Sequence, residues 1–204
     1  MKSHEATDIQ IYCDFMVEVR IGIGIVQSVL DGAITIGIDG CNTERIFLQL
    51  RKTMEVIAFA SLSANRAKYS TVHANFAKHW KAKDLLGALE KVSSHFYPVP
   101  LEPPQTTPLG IKHFALVPDG FMTKAEFASL YDVCSEVLHK RNPYTEGDAV
   151  ITIEYSVQKW VDRIQRLLGC HSVELANGDQ WIVIIPNEGP VQVTLSSPVE
   201  SSGQ

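Results

Sequence analysis

The fourteen residues Tyr131-Asp-Val-Cys-Ser-Glu-Val-Leu-His-Lys-Arg-Asn-Pro-Tyr144 hold the densest set of side chains able to move a proton and bind a phosphate. On a helix, Asp132, Ser135, Glu136 and His139 fall at i, i+3, i+4 and i+7, so they share one polar stripe. Imidazole titrates near neutral pH. His139 can therefore take a proton from a ribose 2′-hydroxyl, while Arg141 holds the phosphate and Asn142 orients the scissile group. The same residues also meet a purely structural demand. His139, Lys140 and Arg141 in a last helical turn complement the helix dipole, and Glu136 and Lys140 form an i, i+4 pair. Asn142-Pro143 stops the helix. Both readings stay open on the sequence.

A second set lies upstream. The formal charge of the 204-residue chain is −5, but it divides into −4 over residues 1–41, +5 over 42–95 and −6 over 96–204. In the basic middle, Arg66, Lys68, Lys78, Lys81, Lys83 and Lys91 alternate with Tyr69, His73, Phe76, His79 and Trp80. Cations beside exposed aromatics suit RNA or single-stranded DNA, through phosphate neutralisation and base stacking. The bland alternative is a solvated helix face with its aromatics turned inward. The acidic whole opposes generic coating of nucleic acid.

Other chemistries lack their residues. Gly22 and Gly24 begin a G-x-G-x-x-G spacing, but Gln27 stands at the third glycine, and there is no G-K-[ST]. His73 and His79 are six apart, which misses the i, i+4 geometry of a zinc helix. No G-x-S-x-G elbow occurs. No metal and no cofactor are expected. A pocket between helices and sheet, lined by Trp160 and Trp181, is a further expectation.

The elements that must carry these residues are mostly helical. Val17, Val19, Ile21, Ile23 and Ile25 alternate as in a strand, yet Phe15, Val19, Ile23, Val26 and Leu30 fit a helix that Asp31-Gly32 would stop. The helical period is preferred for 14–30. Asn42 or Thr43 is expected to cap a helix to about Asn65, apolar on nearly every face and so central in a bundle. Ala82, Leu85, Leu86, Leu89, Val92 and Phe96 form an amphipathic stripe, and a proline-rich wrap follows over 97–122. Thr123 and Glu126 form a capping box. A last helix is expected after Asp148, with Ile153, Val157, Trp160, Val161, Ile164, Leu167 and Leu168 inward and Gly169 as its C′ residue. Asn177-Gly178 is a hairpin signal between β-branched runs, with a second turn at Asn187-Glu188-Gly189. The expected fold is mainly α, a helical bundle over 1–168 with a small C-terminal antiparallel β-sheet (α+β). The sheet is a β-meander over 169–196, to which 111–117 adds a strand, and 197–204 is a disordered tail.

With its central helix reading Leu50-Arg-Lys-Thr-Met-Glu-Val-Ile and a later helix ending Ser135-x-x-x-His139, the chain resembles the HEPN (higher eukaryote and prokaryote nucleotide-binding) helical superfamily in layout over roughly 14–168. It is also similar to uncharacterised bacterial proteins with a Phe96-Tyr-Pro motif and a Leu138-His segment. The resemblance implies a dimer, RNA as partner, and metal-independent ribonuclease chemistry of the kind used in defence and toxin–antitoxin systems. Its active members pair two R-x(4–6)-H motifs. Here Cys134 stands five residues before His139, where arginine is expected. Arg66…His73 and Arg166…His171 keep the spacing, but seven arginines and seven histidines supply such spacings by chance. Arg66 and His73 are the better catalytic pair, with Lys78, Lys81, Lys83 and Trp80 on the substrate side. Ala67 replaces a usual polar residue, so the resemblance implies a catalytically degenerate member. The alternative is a non-enzymatic protein–protein interaction module, as a homodimer or with another protein.

Hydrophobic residues at 45% and charged residues at 20% are ordinary for a globular chain long enough to bury a core without disulfides. The run Ile21–Leu30 is broken by Gly22, Gly24, Gln27 and Ser28, short of a membrane span. Cys13, Cys41, Cys134 and Cys170 are scattered. With no secretory h-region at the start, the expectation is a cytoplasmic protein with reduced, buried thiols and no membrane contact.

Overall fold

The ambiguous segment is helix. The structure, a computed structural model, describes residues 2–66, 87–88, 90–91, 95–139, 144, 151–175 and 177–196. Helix α1 runs Lys2–Leu30 and buries Tyr12, Met16, Val19, Ile23, Val26 and Val29 on one stripe. Ile21, on the other side, is 57% exposed, so the apparent alternation carried no strand. Asp31-Gly32 ends the helix as expected: Asp31 N–H donates to the Gln27 carbonyl, and Gly32 takes φ +72°.

Helix α2 runs Asp39–Ala64 antiparallel to α1. The direction follows from three contacts, Asp8 with Arg66, Phe15 with Phe59, and Gly22 with Thr53. It begins before the expected caps. Ile38 is its N-cap without a side-chain bond, because Asn42 is committed to the loop, accepting from Ile36 N–H and donating to Thr35 Oγ1. Leu48 faces outward rather than into a bundle centre. Helix α3 (Lys124–Leu138) packs on α2 and opens with the expected capping box, Thr123 and Glu126 each bonding the other's backbone N–H.

Helix α4 spans Val157–Leu168, with Ser156 as cap accepting from Lys159 N–H. Ile153 lies before the helix, which corrects the earlier start; its four-residue spacing from Val157 mimicked a turn. Gly169 is not a left-handed C′ residue either. It keeps right-handed φ/ψ (−55°, −44°) and leads straight into a strand, and a Cβ there would stand 2.9 Å from the Gln165 carbonyl oxygen.

The sheet has the order β1-β4-β5-β6, all antiparallel. Strands β4 (Cys170–Glu174), β5 (Gln180–Ile184) and β6 (Gln192–Ser196) make the C-terminal meander, turning at Asn177-Gly178 and at 187–189. The added strand is β1 (Val99–Pro100), on the edge of β4. The expected strand at 111–117 goes elsewhere: β3 (Lys112–His113) pairs with β2 (Gln105–Thr106) in a separate hairpin. Proline lacks an N–H, so Pro100 is tolerated at a sheet edge. The chain around it is held by Leu101 N–H to the Cys170 carbonyl and by Val117 N–H to the Pro100 carbonyl.

One core joins helices and sheet, with Trp160, Trp181, Tyr12, Phe96 and Phe127 its largest fully buried side chains. The protein is thus α+β, mainly helical with a small antiparallel sheet. Cys134 and Cys170 are buried, whereas Cys13 and Cys41 are half-buried, and all four are free thiols. No helix among the described residues is long and apolar enough to cross a membrane. Of the expected stripe at 82–96, residues 87–88 and 90–91 are helical and Phe96 is buried, while Ala82, Leu85, Leu86, Leu89 and Val92 lie outside the described residues. Asp148 and the tail 197–204 lie outside them as well.

Candidate functional site

His139 is the C-cap of α3, its backbone N–H donating to the Ser135 carbonyl and its side chain exposed. The Ser135 hydroxyl donates to the Tyr131 carbonyl one turn back. Asp132 and Glu136 are exposed beside it. Cys134 faces the core, and burial pushes its thiol up to about 12, partly offset by Arg51, so it is not a thiolate at neutral pH. Arg66 ends the α1–α2 pair in an ion pair with Asp8 at 3.2 Å. It rims a shallow recess of about 180 Å³ floored by the stacked rings of Phe15 and Phe59. No described contact joins Arg66 to His139. His73, Lys78, Trp80, Lys81, Lys83, Arg141 and Asn142 lie outside the described residues.

The Arg166…His171 spacing does not make a pair. Arg166 reaches outward to Glu102 and the Asp119 carbonyl, whereas His171 is wholly buried in β4. The Leu168 carbonyl can only accept, so His171 Nδ1–H donates to it at 2.8 Å. Nε2 then accepts from the Tyr12 hydroxyl at 2.7 Å. Trp181 meets the Tyr12 ring edge-on at 5.5 Å. Burial holds the imidazole down at about 4, against a smaller opposing effect of the Leu168 carbonyl, and it raises the Tyr12 hydroxyl. This neutral pair ties α1 to the sheet. It has no opening to substrate.

Among the described residues, a larger accessible cleft lies between α1, α4 and the turn from β5 to β6. Val19, Arg20, Ile23, Gly24 and Gln27 form one wall, at i, i+1, i+4, i+5 and i+8. Ile164, Gln165, Leu168 and Gly169 repeat the first four steps of that spacing on the other wall, and Ile185, Pro186 and Asn187 close the end. The volume is about 460 Å³. A Cβ placed on Gly24 meets nothing within 4 Å, so its missing side chain is part of the cavity. Gly22, one residue off this face, does the opposite: it admits Thr53 and Gln49 of α2 to 2.6 and 2.8 Å of where a Cβ would be.

No family model, curated protein or solved structure matches this chain. The cleft is therefore judged on its own geometry. Trp160 and Trp181 are not among its lining residues, contrary to the sequence expectation; both are buried elsewhere in the core. Their place is taken by Arg20, whose Nη1 donates to the Pro186 and Gly189 carbonyls at 2.8 Å each. Sequence reasoning passed over Arg20 and Gln165 and weighed Gly24 only as part of a phosphate loop. The usable signal was the spacing shared by 19–24 and 164–169, a hydrophobic pair flanking a polar residue and a glycine. Among the described residues no three His, Cys, Asp or Glu side chains converge as a metal-holding group.

Proposed function

We propose that this protein is a non-enzymatic binding protein whose cleft between α1, α4 and the β5–β6 turn takes a small molecule with an apolar body. The observation that carries this reading is the cleft itself. Its volume of about 460 Å³ lies within the usual span for small-molecule sites, and four of its twelve lining residues are aliphatic side chains rooted in the core. Val19, Ile23, Ile164 and Leu168 are each buried, so the walls are preformed rather than assembled on binding. Preformed walls reduce the ordering cost that a ligand must overcome.

The test uses the purified chain and the uncharged dye N-phenyl-1-naphthylamine, which brightens in apolar surroundings. The expected result is saturable one-site binding that disappears in Gly24→Leu, a variant that fills the cleft and keeps the helix. Absence of saturable binding to the parent protein, or equal binding to Gly24→Leu, refutes the reading. The competing reading is the ribonuclease implied by the HEPN resemblance, and an RNA incubation is its assay. RNA is expected to stay intact; cleavage lost in Arg66→Ala, His73→Ala or His139→Ala would favour the ribonuclease instead.

A further inference from the structure

Among the described residues, each guanidinium that joins two elements of this fold has a carboxylate partner, with one exception. Arg66 pairs with Asp8, Arg163 with Glu126 and Arg166 with Glu102. Arg20 pairs with none among the described residues. One of its nitrogens, Nη1, is spent on two backbone carbonyls of the β5–β6 turn. Those bonds fix the side chain in place, and no carboxylate among the described residues pairs with it, the exposed Glu188 of the same turn included. Its Nε and Nη2 N–H groups have no partner among the described residues, and the side chain borders the cleft.

The rest of the lining sharpens the point. None of the twelve lining residues is Asp or Glu, and Arg20 is the single ionised one. Gln165 and Asn187 bring amide donors to the same cleft. An arginine held by carbonyls, with its Nε–Nη2 edge still able to donate, matches a carboxylate better than a neutral polar group, because the charge-assisted bond is roughly twice as strong.

We infer that the ligand is a monoanionic amphiphile, a carboxylate on an aliphatic or aryl body, with its head on Arg20 and its body along Val19, Ile23, Ile164 and Leu168. This rests on the binding reading above and adds the charge of the ligand to it. A neutral ligand of the same shape would leave the guanidinium's free edge without a partner while losing nothing along the walls.

The experiment displaces the bound dye at pH 7.5 with octanoate or with 1-octanol, which share a chain and differ in the head. The alcohol is the more hydrophobic of the two, so an apolar cleft alone would favour it. Octanoate is expected to displace the dye at a concentration at least tenfold lower than 1-octanol. Arg20→Gln should abolish that preference while still binding the dye. Because Arg20 also holds the β5–β6 turn, Arg20→Lys serves as a second variant; it keeps the charge and should keep an intermediate preference. Displacement by 1-octanol at an equal or lower concentration, or an undiminished preference in Arg20→Gln, overturns the inference and leaves the binding reading standing. Failure of the dye to bind at all overturns the binding reading as well.

Discussion

Mild acid should weaken this protein through one residue, His171. A buried base with a depressed pKa resists protonation in the folded state but not in the unfolded chain, where imidazole titrates near 6.5. Between that value and about 4 the unfolded state binds the extra proton. Stability is therefore complete above the unfolded pKa and is lost as pH falls towards the folded one. Going from pH 7.5 to pH 5 takes the unfolded imidazole from mostly neutral to mostly charged, while the buried one stays largely neutral. Linkage then gives a loss of about 2 kcal/mol over that interval, out of about 3 kcal/mol for the whole gap. Urea unfolding at the two pH values, followed by tryptophan fluorescence, measures it directly. His171→Gln is the control: it keeps a neutral group that can donate to Leu168 or accept from Tyr12. It should start from lower stability at pH 7.5 and lose the slope. A parent protein that weakens by less than about 0.5 kcal/mol would refute the reasoning, because that is too little for a fully buried neutral imidazole. An unchanged slope in His171→Gln would locate the titrating group elsewhere.

Two glycines two residues apart should respond with opposite signs. Gly24→Ala gains helix propensity against empty space and should stabilise by about 0.5–1 kcal/mol. Gly22→Ala puts a Cβ 2.6 Å from the buried Thr53 Oγ1 and should destabilise by about 1–2 kcal/mol net. Thermal melts that move both variants the same way would contradict the packing described. The Arg163–Glu126 pair, with both side chains largely buried, should give a coupling of about 2 kcal/mol in a double-mutant cycle of Arg163→Met and Glu126→Gln. A coupling near zero would mean that the capping bonds and the Tyr155 hydroxyl suffice to hold Glu126.

What was legible in the sequence was local. The capping box at Thr123 and Glu126 and the turn at Asn177-Gly178 depend on residues three or four positions apart, and both stand as read. What depended on distant partners was less so. The helical period preferred for 14–30 is the one found, although the pattern alone also fits a strand. The deciding contact, Gly22 against Thr53, lies 31 residues away. The start of α4 was placed too early because Ile153 keeps helical spacing, although Ser156 supplies the cap. The partner of β4 was sought at 111–117, yet the sheet takes Val99–Pro100, since edge pairing tolerates a proline. The search for a site followed residue chemistry to His139. The cleft is instead lined by three segments far apart in sequence, with the exposed Gly24 among its residues.

The charge pattern explains why Arg20 is left without a carboxylate in a segment of net charge −4. Three of its acids are already engaged. Asp14 accepts from Gln10 within α1, Asp31 just past its end accepts from Gln27, and Asp8 crosses to Arg66 beyond the end of α2. Helical geometry puts partners at i±3 or i±4, so Glu18, two positions before Arg20, points to a different face. Arg20 therefore has no acid on its own stripe. What lies opposite is the turn after β5, which meets Arg20 with carbonyl oxygens, while its one acid, Glu188, is exposed and makes no ion pair with Arg20. The acids of α1 tie down amides and the neighbouring helix, and its arginine keeps a free positive edge on the cleft. Moving a carboxylate onto that stripe should remove the edge: Gly24→Glu would place an acid one turn from Arg20, and the same helical spacing that leaves the cation free would then neutralise it.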